Sequence, residues 1–354
     1  MIWYLVLVTV PVLAAPVVNT FYKTPLNADD KAKRLFLFFA GAVLFLLFAL
    51  KSQFVGEDSW VYYGVWEKFS DASLGFYRSY LETTKMEEGF LFSVWCLSKV
   101  FKDAQFIFVI TGAFYTFSIC RFIYKNSKDV LMSFVMFVAL GTYEMMFQVM
   151  RQAIAMSICL FAIEFCKKRK LLPFILLIAL ASSYHRTALI FFVVYFLYNI
   201  PANGLSVPLS LAGVAVVVGS SALFANLANE FLERDYVGAV QGGGYVALAI
   251  YCLIILLTLI LLRQIGNDKN ISFFFFVMVV GLAIFIMRYT GVRIAERASY
   301  YFIFGQMVVL PNIIQKLDKS SRQILKVIVL LLCISLFAYG LRDSDIVPYK
   351  FFWQ

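Results

Sequence analysis

Residues 104–123 read AQFIFVITGAFYTFSICRFI, an apolar run that contains a single charged residue. An α-helix needs about 20 mostly apolar residues to cross a hydrocarbon core of about 30 Å. Residues 35–50 and 323–341 have the same character, and over the 354 residues 62% are hydrophobic, 18% aromatic and 15% charged. The mean hydropathy is +0.84. No soluble core needs so much apolar surface, so the sequence predicts an all-α polytopic membrane protein.

The hydropathy pattern predicts a bundle of about twelve transmembrane helices in a single integral-membrane domain, 1–354. The predicted spans are 2–21, 35–50, 104–123, 129–148, 152–166, 171–184, 187–199, 206–225, 244–262, 271–290, 298–315 and 323–341. The first is interpreted as a span and not a signal peptide, because no lysine or arginine precedes it and its apolar stretch is too long. The six cysteines show no CxxC spacing and predict neither disulfides nor a metal site.

The net charge of +10 is concentrated in short loops at 23–34, 121–128 and 167–170. The positive-inside rule places these loops in the cytoplasm, so both termini and the segment 51–103 are expected outside. That segment is rich in aromatic residues and carboxylates. Within it, residues 89–100 have the pattern of an amphipathic interfacial helix that carries Trp95 and caps the bundle at the headgroup level.

Residues 171–199 form one apolar run broken by SSYHRT at 182–187. The run is either one long span with a central His-Arg pair or two short helices, and the choice reverses the orientation of everything downstream. Charge does not decide, because six downstream basic residues fall on each side. One set is Arg263, Lys269, Lys316, Lys319, Arg322 and Lys326, and the other is Arg234, Arg288, Arg293, Arg297, Arg342 and Lys350. An arginine at the centre of a lipid-exposed span costs about 2.5–3.5 kcal/mol, which favours two helices joined as a re-entrant hairpin.

His185 is the one histidine of the chain, and Arg186 follows it at this break. A lone histidine is more often a hydrogen-bonded structural residue than a catalyst. Ionisable residues at membrane depth nevertheless usually face a cavity or a ligand, and a neutral imidazole accepts a proton from a sugar hydroxyl. His185 is therefore a candidate catalytic base, and Arg186 a candidate substrate-binding residue.

Two further groups of charged residues stand between apolar segments. Arg151 follows Glu144 and Gln148, and it either extends to the lipid headgroups, pairs with Glu144, or binds substrate together with it. The second group consists of Arg288, Arg293, Glu296 and Arg297, with Tyr300 and Tyr301 one turn further on. Arginine holds two phosphate oxygens at once, so this group predicts a pyrophosphate or glycan site, with interfacial anchoring as the alternative.

Several kinds of chemistry have no counterpart in the sequence. The glycines at 242–244 lack the strand and lysine of a P-loop and are interpreted as an outer turn or lid. No HExxH zinc motif, nucleophile elbow or nucleotide-sugar fold is present, so neither a cofactor nor a metal is predicted. The positive charge is assigned to topology and an anionic lipid-linked substrate, with no nucleic acid as partner.

Four stretches carry a family resemblance. They are GEDSWVYYGVWEKF at 56–69, EEGFLFSVWCLSKVF at 87–101, QVMRQAIAMSICLFAIEFCKKRKLLPFILLIALASSYHRTALIFF at 148–192 and RIAERASYYF at 293–302. In these the chain resembles the EpsG family of Wzy-like polysaccharide polymerases. Such proteins are similar to GT-C glycosyltransferases, which transfer a growing glycan from undecaprenyl pyrophosphate to a lipid-linked repeat unit.

The resemblance implies a role for each matched residue. Arg151 and the pair Arg293 and Arg297 would bind pyrophosphate, His185 would orient or deprotonate the acceptor hydroxyl, and Asp58 would line the acceptor side. The paired RX10G loops of some O-antigen polymerases are absent, which leaves open how the loops divide donor from acceptor.

The resemblance also implies a location and partners. The expected location is the bacterial inner membrane, and the expected partners are the bilayer, an undecaprenyl-pyrophosphate-linked oligosaccharide and a chain-length regulator. Two other functions stay open at this point. One is an O-antigen-ligase-like transferase, and the other is a flippase or transporter of lipid-linked glycans, for which matching broken helices in two related halves are expected and not found.

Overall fold

The structure is a computed structural model that describes residues 2–232, 244–261, 268–292, 294–342 and 344–354, without the side chains of 227–232. Arg234, Arg263, Arg293 and the glycines 242 and 243 lie outside the described residues. The described residues are mostly helical and include no β-strand. Its α-helices are α1 Ile2–Tyr22, α2 Asp30–Ala49, α3 Ser59–Ser70, α4 Leu74–Thr83, α5 Glu88–Val100, α6 Phe106–Asn126, α7 Val130–Ala139, α8 Glu144–Gln148, α9 Met150–Lys167, α10 Leu171–Tyr184, α11 Val194–Leu197, α12 Ser206–Gly219, α13 Ser221–Leu232, α14 Tyr245–Ile260, α15 Lys269–Ile286, α16 Ala295–Ser299, α17 Phe304–Ile314 and α18 Lys319–Gly340. Short 3-10 helices cover Arg186–Val193, Met287–Thr290 and Tyr300–Phe302.

Five helical segments of the described chain are long and apolar enough to cross a membrane: Ile2–Tyr22, Asp30–Ala49, Phe106–Asn126, Lys269–Thr290 and Lys319–Gly340. Shorter apolar helices, among them Val130–Ala139, Ser206–Gly219 and Tyr245–Ile260, complete the bundle. Several predicted spans are broken; 129–148, for example, divides into α7 and α8. The structure therefore agrees with a multi-pass, all-helical membrane protein, while the number twelve stays a prediction.

The run 171–199 is a hairpin of two short arms. Helix α10 ends at Tyr184, and the next residue, His185, has an extended backbone with φ −157° and ψ 112°. The chain then returns through the 3-10 helix and α11, so that the ring of Phe174 packs 5.2 Å from that of Tyr195. At the open end, Arg169 Nη1 donates a hydrogen bond of 2.7 Å to the carbonyl of Tyr195. The prediction of two helices is confirmed, and the single long span is excluded.

Ion pairs collect many basic residues at one end of the bundle. Lys128 and Lys316 lie 3.3 and 3.2 Å from the Asp268 carboxylate, and Lys326 lies 2.6 Å from that of Asp129. We call this the basic end. The loop 121–128 and the basic residues near 268, 316 and 326 therefore lie at the same end. This result decides between the two equal sets of basic residues, because the hairpin returns the chain to the end at which α10 begins.

The opposite end, which we call the site end, is covered by α3, α4 and α5. Helix α5 begins at Glu88, one residue before the predicted start, and packs on α3 and on α10. Gly89 of α5 touches the hairpin, because a Cβ at this position would overlap Ser183. This close approach brings the first residues of α5 to the tip of the hairpin.

A buried lysine holds the start of α3 in place. The side chain of Lys51 is fully buried, and its Nζ donates hydrogen bonds to the Val55 carbonyl at 2.7 Å and to Ser59 Oγ at 2.5 Å. Burial lowers the pKa of Lys51 well below its ordinary value. Ser59 Oγ in turn donates to the carbonyl of Phe147 at 3.1 Å, so α3 is held against the segment that leads into α9.

Candidate functional site

Glu87, at the start of α5, is the centre of a charged cluster at the site end. Its side chain does not cap its own helix and is only 10% exposed. One carboxylate oxygen, Oε2, forms an ion pair with Nη1 of Arg151. The other, Oε1, lies 3.2 Å from Nδ1 of His185 and accepts the backbone N–H of Arg186 at 3.2 Å. A single carboxylate therefore joins α5, α9 and the hairpin tip; we call Glu87, Arg151, His185, Tyr62 and Asp58 the Glu87 cluster.

The Glu87 carboxylate is ionised across the physiological pH range. Burial by itself raises the pKa of this group, but contact with His185 and the charge of Arg151 outweigh burial and bring the pKa to about 2. The charge is thus part of the folded structure. It balances Arg151 and gives the hairpin tip a fixed anion to dock against.

His185 contacts this carboxylate through one ring nitrogen. Nδ1 lies within ion-pair distance of Oε1 but does not point at it well enough to form an aligned hydrogen bond. The backbone N–H of the next residue is the better-aligned donor to that oxygen. Nε2 has no hydrogen-bond partner within the described part of the chain, and the side chain is 22% exposed. The geometry therefore leaves Nε2 available to a molecule that binds at the tip.

Arg151 links the carboxylate to α3. Its Nε donates to the hydroxyl of Tyr62 at 3.2 Å, and the guanidinium lies 5.8 Å from the centre of the Tyr62 ring. The Tyr62 hydroxyl then donates to Asp58 Oδ2 at 3.2 Å. Asp58 is therefore linked to Arg151 by hydrogen bonds through Tyr62, and three residues of the cluster (Tyr62, Arg151 and Glu87) separate it from His185.

Glu144 lies outside this cluster. Its Oε2 accepts a hydrogen bond of 3.1 Å from Ser344 Oγ, and burial raises the pKa of its carboxyl. The alternative of an ion pair between Arg151 and Glu144 is wrong, because the arginine turns towards α5 and pairs with Glu87 instead. Glu144 was the expected partner because it is close to Arg151 in the sequence. Packing of α5 on the hairpin instead brings Glu87 to the arginine.

The second arginine group lies on the segment between α15 and α17. Nη1 of Arg288 is 2.7 Å from Oε2 of Glu296, whose other oxygen accepts the hydroxyl of Tyr300 at 3.2 Å. Gly244 fits directly over the Arg288 guanidinium, where a Cβ would overlap it. Arg297 is exposed. We call Arg288, Glu296, Arg297 and Tyr300 the Arg288 group; the predicted Arg293 belongs to the same segment but is not among the described residues.

Two hydrogen bonds place the Arg288 group beside the Glu87 cluster. Gln152, the neighbour of Arg151, donates from Nε2 to the carbonyl of Arg297 at 2.6 Å. Thr187, two residues after His185, donates to the Tyr301 hydroxyl at 3.3 Å. The structure therefore brings together, at one end of the bundle, most of the residues that the sequence singled out from three separate segments.

Arg186, next to His185, and Arg297, in the Arg288 group, are both exposed. Within the described ranges neither guanidinium makes a hydrogen bond or an ion pair, whereas Arg151 and Arg288 each face a carboxylate. Both guanidinium groups are therefore available to an anion. Among the described residues no three His, Cys, Asp or Glu side chains form a group that could hold a metal ion.

Sequence reasoning missed Glu87 and Tyr62 as parts of the cluster. Both lie in stretches that carry the resemblance, EEGFLFSVWCLSKVF and GEDSWVYYGVWEKF. The pair Glu87 and Glu88 was visible, but which of the two points inward depends on where α5 begins. Glu88 is exposed on the first turn of α5, while Glu87 precedes that turn and faces the hairpin.

A family model described as the EpsG family matches residues 34–351. No curated protein and no solved structure matches the chain. The matched range contains the whole Glu87 cluster and the whole Arg288 group. Because the match covers far more than half of the 354 residues, the chain belongs to the EpsG family.

Proposed function

We propose that the protein is a glycan polymerase that transfers a growing polysaccharide from undecaprenyl pyrophosphate to a lipid-linked repeat unit at the outer face of the bacterial inner membrane. Family membership supports polysaccharide polymerisation as the general activity. The observation that carries the finer proposal is the Glu87 carboxylate, which holds His185 and Arg151 at one point of the site end. A base and an arginine at one point are what glycosyl transfer from a pyrophosphate requires.

His185 is the base in this mechanism. Glu87 contacts Nδ1 and favours the tautomer that carries its proton there, so that Nε2 is free to accept one. Nε2 takes the proton of the acceptor hydroxyl as that oxygen forms a bond to the anomeric carbon of the donor sugar. The bond from this carbon to the pyrophosphate oxygen breaks, and the electron pair stays on the leaving pyrophosphate.

The arginines stabilise the charge of the leaving group. Arg186 follows His185 in the chain, and Arg297 is tied to the cluster through Gln152. Both are exposed and both present a planar fork that binds two phosphate oxygens. Arg151 is already balanced by Glu87, so its main role is to hold the base in position. The transfer needs no further reactant, because the proton goes to His185 and the electron pair to the pyrophosphate.

The test is glycan analysis by gel in a strain that lacks the gene and is complemented with wild type, His185→Ala or Arg186→Ala. We expect wild type to restore a ladder of repeat lengths, and both variants to leave a single lipid-linked repeat unit at equal membrane expression. As a control, Arg78→Ala removes an exposed arginine of α4, in the segment 51–103 that also contains Glu87. This variant is expected to keep the ladder. A ladder with His185→Ala would refute the assignment of the base.

The same gel separates the proposal from its rivals. A single transfer without a ladder in wild type would indicate a ligase. Loss of outer-face repeat units in the deletion strain, with transfer intact when the units are supplied outside, would indicate a transporter. Either result would overturn polymerisation by this chain.

A further inference from the structure

A groove between α2 and α6 opens on the outside of the bundle and has a volume of about 840 Å³. The two helices pack closely at its floor, because a Cβ on Gly41 would overlap Cys120 Sγ and crowd the Thr116 side chain. The groove is therefore a product of helix packing. Its walls are apolar and include Phe38, Ala42, Phe45, Leu46, Ala113 and Phe117.

The groove faces the lipid and has the depth of one leaflet. Helices α2 and α6 are both long and apolar enough to cross a membrane, and the wall residues Phe38 and Phe117 are 68% and 59% exposed. The lining residues extend over 34–46 of α2 and 113–125 of α6, which is about 18 Å along each helix at about 1.5 Å per residue. Half of a hydrocarbon core of about 30 Å is about 15 Å. A lipid of a single leaflet therefore matches the groove in length.

Three basic residues, Arg34, Arg121 and Lys125, line one end of the groove, which we call its mouth. Arg34 is held against α6, because its Nε and Nη2 donate hydrogen bonds of 3.2 and 3.0 Å to the hydroxyl of Tyr124. Tyr124 and Lys125 belong to the loop 121–128 at the basic end of the bundle. The mouth therefore lies at the end opposite the Glu87 cluster, where it cannot take part in the proposed transfer.

Two of the three cations at the mouth have no carboxylate partner. Arg121 forms an ion pair with Glu164 and is balanced. Arg34 contacts the Tyr124 hydroxyl and forms no ion pair within the described ranges, and the exposed Lys125 makes neither a hydrogen bond nor an ion pair there. Of the described residues that line the groove, none is Asp or Glu. The mouth therefore presents two uncompensated positive charges above an apolar groove.

This combination identifies the class of ligand. Basic pockets between transmembrane helices on the cytoplasmic side bind anionic lipid headgroups, and the positive-inside rule places the basic end in the cytoplasm. We propose that the groove binds one anionic phospholipid of the inner leaflet, with its phosphate against Arg34 and Lys125 and an acyl chain along the walls. A zwitterionic lipid would bring an ammonium group to the same two cations. The inference is independent of the proposed function.

The test compares two phospholipids that differ in headgroup charge. Purified full-length protein in detergent is titrated with phosphatidylglycerol or with phosphatidylcholine of the same acyl chains, and native mass spectrometry measures the bound lipid. A cation near the membrane surface contributes about fivefold to the binding of an anionic lipid, so two cations predict a preference of about 25-fold for the first phosphatidylglycerol. The double variant Arg34→Gln/Lys125→Gln is expected to abolish this preference.

A matched double variant separates the groove from general charge attraction. Lys168→Gln/Lys170→Gln also removes two exposed cations, from the loop between α9 and α10, and neither lysine lines the groove. This variant is expected to keep the 25-fold preference. Equal affinity for both lipids in wild type would overturn the inference. An equal loss in the two double variants would also overturn it, because the lipid would then be attracted to the whole basic end and not to the groove.

A second variant tests the acyl part of the site without a change of charge. Ala113 is exposed and lines the groove at the end away from the cations, so Ala113→Phe shortens the space for the chain. Each buried methylene contributes about fourfold to binding, so displacement of two methylenes weakens the binding of phosphatidylglycerol on the order of tenfold. Ala338→Phe makes the same change at an exposed position of α18 and should leave the affinity unchanged. Unaltered binding by Ala113→Phe would contradict the proposed position of the acyl chain.

Two other occupants have distinct results in the same experiment. Undecaprenyl phosphate that displaces phosphatidylglycerol at equal concentration would assign the groove to a carrier lipid. A lipid-free dimer in the mass spectrum, lost with Ala113→Phe, would assign it to a second copy of the chain. Either result would overturn the inference. The assay involves no glycan transfer, so its failure would leave the ladder experiment and the proposed function unaffected.

Discussion

Replacement of Glu87 by glutamine removes the negative charge that holds Arg151 and the hairpin tip together. The carboxylate is 10% exposed and the Arg151 side chain 16%, so little solvent screens the pair. Removal of one partner of a buried ion pair costs about 3–5 kcal/mol. The fall of the Glu87 pKa from 4.5 to about 2 corresponds to about 3 kcal/mol by linkage. Since the two figures agree, we expect Glu87→Gln to lower the free energy of unfolding by about 3 kcal/mol.

The pH dependence of this contribution follows from the direction of the shift. The folded pKa of Glu87 is depressed, so its stabilising effect is present above the unfolded value of 4.5 and is lost as pH falls towards about 2. Between pH 5 and pH 8 the carboxylate stays charged. A difference in melting temperature between wild type and Glu87→Gln should therefore shrink as the pH falls below 4.5.

The variant should also lose activity. A positioned general base contributes about 10²–10⁴-fold, so a misplaced His185 is expected to slow glycan polymerisation by about a hundredfold. The assays are thermal unfolding of the purified protein in detergent and ladder formation in membranes at matched expression. Glu88→Gln removes the same charge from the neighbouring exposed position and is the control. If Glu87→Gln melts and polymerises like Glu88→Gln, the role assigned to the Glu87 cluster is refuted.

Further predictions concern α3 and its entry. Because Asp58 meets the cluster only through the Tyr62 hydroxyl at 3.2 Å, Asp58→Asn should reduce ladder formation by less than about tenfold. Tyr62→Phe leaves Arg151 Nε without its acceptor and should lower the free energy of unfolding by about 1–3 kcal/mol, measured by thermal unfolding. Gly56→Ala should be destabilising by about 2 kcal/mol or more, since φ is +94° and a Cβ would overlap the Phe147 carbonyl.

The controls for these variants come from the same helix. Gly64 of α3 has open space at its Cβ, so Gly64→Ala should leave stability unchanged or raise it by about 0.5–1 kcal/mol. A Gly56→Ala protein as stable as Gly64→Ala would contradict the close approach of the α3 entry to Phe147. A hundredfold loss with Asp58→Asn would instead assign this carboxylate a direct part in the reaction.

The hairpin 171–197 could be predicted from local sequence, but its orientation could not. The break SSYHRT and the short arms indicated two helices, because an arginine at the centre of a lipid-facing span is costly, and the structure agrees. The equal numbers of basic residues downstream left the orientation open. Contacts such as Lys326 with Asp129 resolved it, since they join residues 197 positions apart in the chain.

The sequence by itself determined the class of the protein and its most unusual residues. The apolar content of a segment depends only on neighbouring residues, so membrane helices can be predicted without knowledge of the fold. Ionisable residues between apolar segments, such as His185 and Arg151, can be identified for the same reason. Tertiary structure alone decided that Glu87 joins them. The residues that share this carboxylate are up to 99 positions apart, and only the packing of α5 on the hairpin, through Gly89 and Ser183, selects Glu87 in preference to Glu88 or Glu144. Pairing depends on which surfaces meet, and that is a property of the whole bundle and not of any one segment.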